Sequence, residues 1–135
     1  MPATFNDGLV KGRNTAFALT KKRFVVLDTA ATDGESVAPA TAGNTAGKPL
    51  YGVSKFSVSL AEIAHGKGAS VVLDGRAVVT AGTALAVGTV VTSDNVGRAV
   101  AAVAGDWIGG VVDEPASGAD TDCSIDVACD GSKYA

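Results

Sequence analysis

From Ser70 onward the chain is broken by turn residues roughly every 8 to 12 positions, and the runs between them hold small apolar side chains. SVVLDG, GRAVVTAG, TALAVGTVVTSD, GRAVAAVAG, DWIGGVVDE and CSIDVACDG follow one another in this way. Val and Thr suit a pleated, half-buried surface, and Gly supplies the positive φ that tight turns demand. The pattern predicts an all-β domain, a small barrel or sandwich. Gly-Arg-Ala-Val occurs at 75–78 and again at 97–100, which reads as two similar turn-to-strand entries.

Upstream the signals are sparser. Residues 1 to 22 carry Gly8, Gly12, Asn14 and several charges without periodicity, and are expected to form an extended, flexible basic arm. Residues 23–135 are expected to form the single β-rich domain. RFVVLD is of strand type, TAATDG supplies a turn before ESVAPATA, and residues 42–49 are a loop by composition. YGVSKFSVSL alternates with one slip near Ser54–Lys55, the mark of a bulge. Ser59-Leu-Ala-Glu62 has the capping-box pattern and Gly66 can close one helical turn, so at most one short helix is expected.

The makeup of the core bears on stability. There are 24 Ala, 19 Val and 17 Gly, against seven Leu, three Ile and four Phe. Stabilisation scales with buried apolar area, at about 25 cal/mol per Å², so small side chains give a thin core. Association with copies of itself or with a larger body is the natural remedy, and open β-edges could accept a neighbour's strands.

The net charge of −3 argues against a general nucleic-acid binder. The charges are unevenly spread. Lys11, Arg13, Lys21, Lys22 and Arg23 lie in the first 23 residues, with Asp7 the only acid there. From Asp106 onward there are seven acids and one base, Lys133. Such asymmetry suits steering between unlike surfaces. The basic cluster, with Phe5 and Phe17, marks the arm as the candidate contact with a larger partner. No run is apolar for long enough to span a membrane, and MPATFNDGLVKGR shows no secretory signal, so synthesis in a cytoplasm is expected.

Motifs with chemistry are weak. Gly43-Asn-Thr-Ala-Gly47-Lys48-Pro49 has three residues between its glycines and a Pro after the Lys, which departs from a Walker loop. Asp120, Asp122, Ser124 and Asp126 alternate as calcium ligands do, but the sixth and twelfth positions are Ile125 and Gly131. His65 is the sole histidine and reads as a helix-terminal residue. No Gly-x-Ser-x-Gly elbow occurs, and no catalysis, metal or cofactor is expected. Cys123 and Cys129 share one face of an alternating run. As a strand this holds them roughly 20 Å apart, far beyond disulfide reach, so they read as free thiols. Trp107 is expected to anchor the core, a sugar-stacking platform being the alternative.

An ordered series of short phrases then resembles the head decoration, or capsid cement, proteins of tailed bacteriophages. Val37-Ala-Pro-Ala-Thr-Ala-Gly43 precedes Pro49-Leu-Tyr-Gly-Val53, followed by Val72-Leu-Asp-Gly75 and Ala81-Gly-Thr-Ala-Leu-Ala-Val-Gly88. Ser93-Asp-Asn-Val-Gly-Arg-Ala-Val100, Trp107-Ile-Gly109, Glu114-Pro-Ala-Ser-Gly118 and Ser124-Ile-Asp-Val127 complete it. The resemblance implies a β-tulip or small-barrel fold and homotrimers at three-fold and quasi-three-fold sites of an expanded icosahedral head. It implies the major capsid protein as partner, the outer surface of the virion as location, and no nucleic acid, membrane, metal or nucleotide. A carbohydrate-binding β-module is the competing reading, and a β-clip domain detached from an enzyme is a third.

Overall fold

The computed structural model describes residues 9–30, 36–41 and 49–135. Strand makes up 49% of the described residues and helix 4%, as expected of an all-β chain with one short helix. In order, the strands are β1 (Leu9–Thr15), β2 (Phe24–Leu27), β3 (Ser36–Pro39), β4 (Leu50–Ser54), β5 (Ala69–Thr80), β6 (Val90–Ser93), β7 (Ala99–Ala101), β8 (Gly110–Glu114) and β9 (Asp122–Val127). Helix α1 (Leu60–Ala64) lies between β4 and β5.

β1, β3, β2, β4 and β5 are neighbours in that order, and β1 also pairs with β5, closing a five-stranded barrel. All these pairs are antiparallel except β1 with β3. Beyond the barrel β5 runs on into a second sheet, ordered β5, β9, β8, β6, β7. A parallel bridge from Ala81 to Ala99 brings β7 back to the end of β5. Closure occupies the barrel's edges, so the open β-edges expected for strand addition are not a feature of this half.

Two expectations for the strands need correction. SVVLDG and GRAVVTAG are one strand, since Ala69–Asp74 pair with β1 and Gly75–Thr80 pair with β9. Gly75, at φ 83, marks the change of partners where a turn was expected. YGVSKFSVSL carries no bulge at Ser54–Lys55, because β4 simply ends at Ser54 and Val58 bridges to Leu19. Register shifts fall instead at Leu9/Val10, Val25/Val26 and Val112/Glu114.

Residues 9–22, expected within an arm, lie in the sheet over β1 and against it beyond. Five β1 residues, Leu9 to Arg13, pair with β5. The physical reason is β5 itself: Val71 and Val72 pair with β4 along one edge, and β1 takes up the backbone groups of the other edge.

Alternate residues of the shared strands serve two apolar clusters. Phe24, Val26, Leu50, Val53 and Val72 join a large cluster that continues through Val79, Val91, Val112 and Ile125 of the second sheet. Val25, Val37 and Val71 form a smaller one with Leu19 and Ala69. Phe24, fully buried, is held close on one side by Gly109, where a Cβ would stand 2.5 Å from its ring. Helix α1 has the expected capping box: Ser59 Oγ accepts from the Glu62 N–H at 3.1 Å, and Glu62 Oε1 accepts from the Ser59 N–H at 3.0 Å.

Candidate interaction surface

The seven residues expected at the contact separate into three groups. Phe5 lies outside the described residues. Arg13, Lys22 and Arg23 are committed to bonds within the chain. The Arg13 guanidinium donates to the Tyr51 hydroxyl and lies 5.1 Å from that ring's centroid. Lys22 sits at φ 62, with its ammonium 2.8 Å from Asp122 and its carbonyl accepting from the Thr80 N–H. Arg23 donates from Nη1 to the Val96 carbonyl at 3.0 Å. Lys11, Phe17 and Lys21 are exposed.

The basic and acidic segments fold into different halves of the molecule. Residues 1–73 carry eight cations and five carboxylates, whereas 74–135 carry nine carboxylates and three cations. In the acidic half the repeated Gly-Arg-Ala-Val phrases do the same work twice. Gly75 and Gly97 have φ near +83 and +85, Ala77 and Ala99 are buried, and each arginine holds two carboxylates. Arg76 is paired with Asp113 and Glu114, and Arg98 with Asp94 and Asp120. Burial alone would raise the Asp94 carboxyl. The N–H groups of Val96 and Arg98 and the Arg98 guanidinium outweigh it and hold the group below its ordinary value of 3.8.

Chemistry-bearing groups are otherwise dispersed. Among the described residues no three His, Cys, Asp or Glu side chains gather in a way that could hold a metal ion. His65 caps the end of α1 and is exposed. Cys123 and Cys129 are both free. Burial, helped by Asp122, pushes the Cys123 thiol up to about 11, and burial with Asp130 pushes Cys129 up to about 12. Trp107 is half-buried against the large cluster, with the Lys133 ammonium 4.5 Å from its ring centroid. A groove of about 350 Å³ between the barrel and the second sheet is lined by Val53, Val72, Val78, Lys55, Arg76 and Glu114. Its arginine is already engaged by carboxylates.

What remains is surface. Leu19 and Val58 exchange backbone hydrogen bonds at 2.9 Å, and the Lys21 N–H donates to Ser57 Oγ at 3.0 Å, tying residues 17–21 to 56–60. This pair of segments presents Phe17, Phe56 and Leu60 to solvent. Sequence reading singled out Phe17 and Lys21 from it and missed Phe56 and Leu60, which alternation alone assigns to a strand's buried face.

No family model matches the chain. No curated protein sequence matches it either. Among solved structures its fold is similar to the crystal structure of the head fiber gp8.5 N base in bacteriophage phi29, with a TM-score of 0.66 and 16% sequence identity. The match takes in 94% of this chain and 98% of that one, so the barrel and the second sheet are shared as one fold with a phage head protein.

Proposed function

We propose that the chain is a structural protein of a tailed-phage virion that binds the outer surface of the expanded icosahedral head and stabilises the shell. Its partners are the major capsid protein and further copies of itself, arranged as trimers at three-fold and quasi-three-fold sites. The reading assigns it no catalysis, cofactor, nucleic acid or membrane. The backbone likeness to a phage head fiber base carries it, joined by the ordered phrases from Val37 to Val127. The physics supports it as well. A core of Val and Ala gives one copy modest stability, and contacts repeated over a lattice gain by avidity.

Heads purified from a phage deleted for this gene test the proposal. Electron microscopy should show protrusions missing from three-fold sites, and the heads should release DNA at a lower temperature than complete ones. Adding the purified chain should restore both properties. Heads with unchanged density and unchanged thermal release would refute it.

A further inference from the structure

The exposed large apolar side chains include a local group. Phe17 is 47%, Phe56 53% and Leu60 63% exposed, and each lies within two residues of the Leu19–Val58 bridge. Leu60 opens helix α1, which buries none of its residues. Beneath them Leu19 and Val58 are buried, Leu19 packing with Val25, Val37 and Val71, so the patch stands on a rigid base. Its border is cationic. Lys21 is exposed, and the Lys55 ammonium lies 5.8 Å from the Phe56 ring centroid. Lys67 pairs with Glu62 at 2.9 Å.

An apolar centre with a cationic border fits a protein surface of opposite charge, since phosphates would engage the lysines and leave the rings in water. The charge separation sets orientation too. A carboxylate-rich partner is attracted by residues 1–73, with eight cations against five carboxylates, and repelled by residues 74–135, with nine carboxylates against three cations. We infer that this end of the barrel, through Phe17, Phe56 and Leu60 with Lys21 at their border, docks onto an acidic, apolar-centred protein surface of the phage head. The second sheet then faces away from the shell. The inference rests on the proposed function and names the face that carries it.

Heads lacking the chain are incubated with purified full-length protein, and binding is measured by co-sedimentation at low and high salt. F56S/L60S and K21E are compared with wild type and with V87S/V103S, which alters two equally exposed valines of the other half. F56S/L60S should weaken binding about tenfold or more, as expected for central anchors. K21E should weaken it at low salt and reduce its salt dependence, and V87S/V103S should bind as wild type. Unchanged binding by both F56S/L60S and K21E overturns the inference, as does loss confined to V87S/V103S. If F56S/L60S and K21E retain head binding but dissociate an oligomer of the free chain in sedimentation velocity, the patch meets a second copy and the inference fails. Should F56S/L60S not fold, K21E, altered at an exposed position, decides alone. Wild type that binds no head removes the proposed function, and this inference with it.

Discussion

Phe24 shows how a chain built of small residues still fixes a unique core. It is the one fully buried aromatic among the described residues, and Gly109 and Gly97 approach it from ring and backbone. A methyl group at Gly109 meets Cε1 and Cζ of this fully buried ring at 2.5 Å. Gly109→Ala should therefore destabilise by about 1–3 kcal/mol, measured by urea unfolding. Asp94 makes a second single-residue case. Its carboxyl is held below 3.8, so the unfolded chain takes up this proton at a higher pH than the folded one. The stabilisation is complete above pH 3.8 and is lost as pH falls through the lower folded value. Asp94→Asn should cost about 1–2 kcal/mol at neutral pH and make the acid limb of the stability profile shallower. A limb as steep as that of wild type would refute the assignment.

At the scale of elements, α1 and β5 behave oppositely. The capping box makes α1 locally well formed, and loss of such a cap typically costs a helix about 1 kcal/mol. Yet no α1 residue is buried, so little of the global stability depends on it. Ser59→Ala should raise amide exchange at Ile63 and Ala64 while leaving the melting temperature nearly unchanged. β5 belongs to both sheets, and its Gly75 sits at φ 83 between them. Gly75→Val places a β-branched residue in a left-handed conformation, costing about 1–2 kcal/mol or more. Thermal unfolding should report that loss.

For the whole molecule, the shared strand and the continuous large cluster couple barrel and second sheet. Val71 lies in the smaller cluster and Val79 in the larger, both fully buried. Val71→Ala and Val79→Ala should each cost about 2 kcal/mol and move one common denaturation midpoint. Two separate transitions would show that the halves unfold independently.

The sequence alone determined the all-β class and the short capped helix, because alternation and capping act over a few residues. It also determined the charge asymmetry, which is only a matter of counting along the chain. Barrel closure through β1, the fusion of two expected strands at Gly75, and the gathering of Phe17, Phe56 and Leu60 were decided by tertiary structure. Each depends on which distant backbone groups find partners: Lys11 joins a sheet because β5 is there to receive it, and Phe56 is left exposed because β4 ends two residues before it. Local pattern fixes what a segment can become; pairing across the fold decides which face of it meets water.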